Sequence, residues 1–162
     1  DIGCYDIDVL LYLLGSPQPL SASAMMFRGI GDHMPLNVPF DVEEHSSVFV
    51  RFEGGATAMF ETAWASNMQS GEDAMILGTK GGLKLNPFTY YAKMEGRQVA
   101  VSMDLERWIA GSMEMLLKDF MNACLEDKTP KTPGEDGLKV MRIISMAYKS
   151  AQINREVNLS ML

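Results

Sequence analysis

Ser47-Val48-Phe49-Val50-Arg51-Phe52-Glu53-Gly54-Gly55-Ala56-Thr57-Ala58-Met59-Phe60-Glu61-Thr62-Ala63-Trp64 is the stretch that decides the fold class. Ser47 to Phe52 alternates, stops at Glu53-Gly54-Gly55, and Ala56 to Trp64 alternates again. Alternation of period two puts one set of side chains on each face of a strand, and a glycine-rich break between two such runs predicts a hairpin. Downstream, Ala74 to Leu77, Gly81 to Leu85, Tyr90 to Met94 and Gln98 to Met103 read as further short strands, divided by Gly, Asn-Pro and Glu-Gly-Arg turns. Nothing of helical length separates them, so the sheet is expected to be mostly antiparallel.

Upstream of the hairpin, the spacing predicts a helix over about Asp1 to Leu14. Ile7, Leu10, Leu11 and Leu14 form its apolar stripe, and Gly15 with Pro17 stops it. Leu20 to Arg28 reads as a strand rich in small residues and Met, and Gly29 to Asp41 as a loop long enough to be functional or mobile. Two helices close the chain. One carries Met113, Leu116, Leu117, Phe120, Met121 and Cys124 on one face. The other opens on Thr132-Pro133-Gly134-Glu135, where Thr132 is expected to cap, Pro133 to take the first helical position and Glu135 to complete a capping box. Leu138, Met141, Ile144, Tyr148 and Ala151 are its expected core face, and a short strand is expected at Glu156 to Leu159. Helix, strand meander and helix pair together predict an α+β fold, a large mostly antiparallel open sheet with helices packed on one face.

Composition narrows the function. The chain has 162 residues with 47% hydrophobic content, which suits one domain spanning residues 1–162. A net charge of −7 argues against nucleic acid, which selects a basic face. No apolar run is long enough to cross a membrane. Cys4 and Cys124 make no disulfide framework or zinc spacing; both sit at helical apolar positions, where burial is the expectation, and a reducing compartment, the cytoplasm, follows. The chain opens on Asp1 inside a helical pattern, so it reads as the interior of a longer protein.

Opposite the apolar stripe of the first helix, Asp1, Tyr5, Asp8 and Tyr12 recur at i, i+4, i+7 and i+11 and share a face. A phenol with a lowered pKa can relay a proton and a carboxylate can orient a hydroxyl; the competing reading is a solvated helix face. Trp64 either lines a substrate pocket or packs in the sheet core. His33 and His45 among Asp32, Asp41, Glu43 and Glu44 match no compact ligand motif, so no metal site is expected and the stretch reads as a solvated acidic loop. Gly78-Thr79-Lys80-Gly81-Gly82 lacks the spacing of a phosphate loop and reads as a hairpin turn.

Asp1-Ile2-Gly3-Cys4-Tyr5-Asp6-Ile7-Asp8-Val9-Leu10-Leu11-Tyr12-Leu13-Leu14-Gly15 resembles the D-x-G-x-[H/Y]-x-x-D-x-x-x-Y-L-L-G segment that opens the catalytic part of the Gfo/Idh/MocA oxidoreductases. The likeness continues through Val48 to Trp64, Gly78 to Gly82, and Asp119-Phe120, Thr129-Pro130, Gly134 to Gly137, Ala147-Tyr148 and Ser150-Ala151. The resemblance implies the C-terminal α+β domain of a two-domain enzyme using NAD or NADP on a sugar, polyol or diol hydroxyl. The N-terminal Rossmann domain, its G-x-G-x-x-G turn and an E-K-P lysine are not in this chain, which is therefore expected to bind no cofactor alone and to be inactive by itself. By the same resemblance Asp1 positions the substrate hydroxyl, Asp8 contacts the polyol, and Tyr5, where most members have histidine, is the general acid/base. Tyr12 and Trp64 join them as expected substrate contacts. The family also implies a homo-oligomer formed through the open sheet face, to which the Met and Phe content is suited. The alternative is a non-catalytic binding or oligomerisation module on the same scaffold.

Overall fold

The structure is a computed structural model that describes residues 2–30, 41–67, 74–103 and 112–162. In chain order its elements are α1 (Gly3–Leu13), β1 (Pro19–Phe27), β2 (His45–Phe52), β3 (Thr57–Ala63), β4 (Met75–Leu77), β5 (Gly81–Leu85), β6 (Phe88–Met94), β7 (Arg97–Ser102), α2 (Ser112–Glu126), α3 (Gly134–Ile153) and β8 (Val157–Asn158). The α+β class expected from the alternating stretch is the class found. Its strands are hydrogen-bonded, among the described residues, as two four-stranded sheets, ordered β3-β2-β1-β8 and β4-β5-β6-β7, and every pairing is antiparallel. The chain divides into two compact units, Asp1–Asn67 with Asp127–Leu162, and Met68–Glu126.

In the first unit the hairpin of β2 and β3 turns at Gly54 and Gly55, both at positive φ (80° and 88°) in open space, a conformation glycine adopts without a Cβ clash. Across the sheet Val157, Ala22, Val50 and Ala58 stand in one row, and Ala24, Val48 and Phe60 in the next. This inner face packs against α3, and α1 packs against α3 in turn. The core holds Ile7, Leu11, Ala22, Val50, Phe52, Val140, Ile143, Met146 and Val157. The alanines of β1 let the helix approach closely. Ser150 pins that approach: its Oγ accepts the Ala24 N–H at 2.9 Å and donates to the Arg155 carbonyl at 2.7 Å. Asn154 ends α3 in the left-handed region (φ 52°) that asparagine tolerates.

Three expectations for the helices need correction. The buried stripe of α3 is Val140, Ile143, Ala147 and Ser150 with Met146, while Leu138, Met141 and Tyr148 are exposed. The helix is apolar over two adjacent stripes, and periodicity does not say which meets the sheet; the Ser150–Ala24 bond and the small strand residues select the second. Thr132 does not cap. Pro133 is the N-cap, with extended ψ of 159°, and no side chain caps the helix. Asp136 in the first turn instead accepts the Ser16 hydroxyl at 2.6 Å, and Lys139 Nζ donates to Ser16 O and Oγ at 2.7 Å, which ties the turn after α1 to the start of α3. Finally, α2 forms as expected but its Met113, Leu116, Leu117, Phe120 and Met121 are exposed, and so is Cys124; Cys4 is half-buried.

The second unit is a meander. Gly78 N–H donates to the Gly81 carbonyl at 2.8 Å, closing the hairpin expected there. Between β6 and β7, Glu95 and Gly96 both have positive φ (50° and 77°), the backbone of the tight hairpin turn whose twist matches the strands.

Candidate functional site

Helix α1 separates its two faces cleanly. Ile7 and Leu11 are buried in the core. Tyr5, Asp8 and Tyr12 emerge together on the other side, Tyr5 68% and Tyr12 83% exposed. Asp1 lies outside the described residues, as does most of the loop between β1 and β2, residues 31–40, with His33.

Trp64 sits elsewhere. It lines a cavity of about 430 Å³ walled by the first turns of α1 (Gly3, Cys4, Ile7), the inner sheet face (Met26, Val48, Phe60, Thr62) and α3 (Ile143, Ile144, Ala147, Tyr148); Tyr5, Asp8 and Tyr12 are not among its walls. Gly3 lets α1 approach β3 closely: a Cβ there would stand 3.2 Å from Thr62 Oγ1, so Thr62 would have to shift by a few tenths of an ångström.

The segment Glu43-Glu44, expected to be a solvated acidic loop, is the hub of this end of the unit. Glu44 is only 1% exposed. Its Oε2 accepts the Gly29 N–H at 2.7 Å and the Ile30 N–H, its own N–H donates to Phe27 O at 2.9 Å, and its carbonyl accepts the Trp64 N–H at 3.1 Å. A buried carboxylate survives where ionic acceptors meet backbone donors, and here it secures the exit of β1. Glu43 faces the cavity. Its carbonyl accepts the Trp64 indole N–H at 2.9 Å, and its carboxylate accepts the Tyr148 hydroxyl, 2.7 Å from Oε2 and 2.9 Å from Oε1. Burial first, then the hydrogen bond and charge of Glu43, push the Tyr148 phenol up to about 12. Sequence reading missed Glu43, Glu44 and Tyr148. The only available signal was a tyrosine hydroxyl within an apolar helical stripe, which needs a polar neighbour when it is not in water.

Among the described residues no three histidine, cysteine or carboxylate side chains converge, and His45 Nε2 lies 2.9 Å from Glu61 Oε1. Nor do the described residues make a dinucleotide cradle. The Gly78–Gly82 turn joins two strands rather than a strand and a helix, and a Cβ on Gly81 would stand 2.4 Å from the Tyr91 carbonyl, so that glycine serves sheet packing. No helix among the described residues is long and apolar enough to cross a membrane.

The first unit thus presents tyrosine and carboxylate side by side on the exposed face of its first helix, in an α+β fold. Residues 1–159 match the family described as "Oxidoreductase family, C-terminal alpha/beta domain", and the chain belongs to that Gfo/Idh/MocA family. It is similar to the D-glucoside 3-dehydrogenase of Escherichia coli K12, 25% identical over 170 aligned positions that cover 98% of this chain and 48% of the relative. It has the same identity to D-xylose 1-dehydrogenase (NADP(+)) 2 of Haloferax volcanii, covering 98% of this chain and 47% of that one. Among solved structures, a levoglucosan dehydrogenase in complex with NADH shares the fold with a TM-score of 0.79 at 20% identity, over 98% of this chain and 49% of the other. The chain thus spans about half the length of the curated relatives it matches.

Proposed function

We propose that these residues form the substrate domain of a nicotinamide-dependent oxidoreductase acting on a sugar, polyol or diol hydroxyl. The observation that carries the reading is the family match over residues 1–159 combined with the exposed Tyr5, Asp8 and Tyr12 face of α1. Sugar dehydrogenases among the relatives support the substrate class.

Oxidation of a carbinol carbon needs a base for the hydroxyl proton, an orienting acceptor for that hydroxyl, and a two-electron acceptor. Tyr5 is assigned the proton, in deprotonated form when the alcohol is oxidised and as the acid in the reverse direction. Asp1 orients the reacting hydroxyl, while Asp8, one turn beyond Tyr5, and Tyr12 hold neighbouring hydroxyls. Trp64 lines the separate cavity and is assigned to a part of the substrate away from the reacting hydroxyl. The electron acceptor is NAD or NADP, held by a Rossmann domain outside these 162 residues, since the described residues do not fit it. The protein is placed in the cytoplasm, and the outer face of the β3-β2-β1-β8 sheet is assigned to a second copy.

The decisive experiment is Tyr5→Phe in the complete enzyme, assayed for sugar-dependent reduction of NAD and NADP. A fall in kcat by orders of magnitude with unchanged folding is expected; retained turnover would remove Tyr5 from its role.

A further inference from the structure

We propose that Glu43, its carboxylate oriented by Tyr148, accepts a hydrogen bond from a hydroxyl of the sugar ring inside the cavity and so determines which sugars the protein takes. The inference rests on the sugar-oxidoreductase reading above and adds a residue to it that the α1 motif does not contain.

The cavity, at about 430 Å³, falls within the usual size of small-molecule sites, about 300–1,000 Å³. Its walls are mostly aliphatic and aromatic, the lining that makes a few polar groups decisive for orientation. Among the described lining residues there is no lysine, arginine or histidine. A carboxylate has about four lone-pair directions, and the Tyr148 hydroxyl supplies a single hydrogen shared between the two oxygens. The remaining directions call for donors that a neutral hydroxylated ligand brings with it, whereas an acidic sugar would meet a like charge. Tyr148 and Trp64 are 46% and 38% exposed, so the polar end of the cavity is open to an entering ligand.

The two neighbouring glutamates divide the work. Glu44 is committed to the backbone of Gly29 and Ile30 and is buried, so it holds the framework. Glu43 is held by its neighbours rather than holding them through its charge: Tyr148 fixes the carboxylate, and its carbonyl fixes the Trp64 indole. The acceptor and the aromatic wall against which a ring's C–H face would lie are therefore set by one residue. A phenol is protonated at neutral pH, so Tyr148 remains a donor to Glu43.

The test is a cycle between protein and ligand. Binding of methyl β-D-glucopyranoside and each of its monodeoxy analogues to the full chain is measured by calorimetry, for the wild type and for Glu43→Gln, an isosteric change, with circular dichroism to verify folding. The expected result is that one deoxy position costs the wild type roughly tenfold or more in affinity, and that Glu43→Gln removes that penalty while leaving the others. Tyr148→Phe is expected to shrink the same penalty in part. Equal penalties in wild type and Glu43→Gln, or no saturable binding of any of these glucosides, would overturn the proposal. Turnover by the complete enzyme without this coupling removes the present inference alone. Coupling in a complete protein that turns over no sugar removes the oxidoreductase reading alone.

Discussion

The Tyr148 hydroxyl lies 2.7 Å from Oε2 and 2.9 Å from Oε1 of Glu43, joining the C-terminal half of α3 to the segment that enters β2 across 105 positions of sequence. The phenol is raised to about 12, so its protonated form is favoured by folding. The stability it contributes is complete below its unfolded value near 10 and is lost as pH climbs from 10 through about 12. Thermal unfolding of wild type and Tyr148→Phe from pH 8 to 12 should therefore converge at the alkaline end, the wild type losing more of its advantage above pH 10. A constant difference between the two across that range would disprove the linkage.

Glu44 makes the stronger prediction for stability. Replacing it with alanine removes the acceptor of two backbone N–H groups at a site that excludes water. A cost of about 2–4 kcal/mol is expected, from two backbone donors left without their acceptor at a buried site. Urea denaturation should show it as a lower midpoint with little change in slope. A loss below about 0.5 kcal/mol would mean that Glu44 does not secure the end of β1.

Tyr5→Phe should behave in the opposite way. The side chain is 68% exposed and outside the core, so its replacement should change stability by less than about 0.5 kcal/mol. Loss of a general acid/base typically lowers turnover by about 10²–10⁴-fold. In the complete enzyme the paired measurement, kcat together with Tm, separates a proton-transfer role from a structural one.

How much of this was legible in the sequence follows from how local each signal is. The β2–β3 hairpin, the meander from β4 to β7 and the exposed face of α1 were readable because alternation, glycine turns and a seven-residue recurrence are written within a dozen residues. The buried stripe of α3 was not. Leu138, Met141 and Tyr148 are as apolar as Val140, Ile143 and Ala147, and the choice between the stripes is made by Ala22, Ala24 and Ser150, over a hundred positions apart. The same holds for Glu43 and Glu44: adjacent and chemically equal in sequence, they are distinguished by partners such as Gly29, Ile30, Trp64 and Tyr148, which the fold brings to them.

The last prediction concerns the outer face of the first sheet. Strand pairing places Met25 opposite Ser47, Phe27 opposite His45 and Met59 opposite Phe49, all on the side away from Ala22, Val50 and Ala58. Met25, Phe27 and Met59 are exposed there. Two pairs of ionisable groups there are already engaged: His45 with Glu61, and Arg51 with Glu156, whose carboxyl is held below the usual range by the Ser21 hydroxyl and by Arg51. A face whose charges are internally paired and whose apolar side chains are open loses little polar solvation when covered, while each buried Met or Phe contributes about 1.5–3 kcal/mol. A second copy of the same face is the proposed cover. Met59→Glu would place an unpaired carboxylate in the contact of each copy and is expected to weaken self-association at least tenfold, read by sedimentation equilibrium, without lowering the unfolding midpoint of the monomer. Self-association indifferent to Met59→Glu, or a wild type monomeric at every concentration, would show that this face is not the interface.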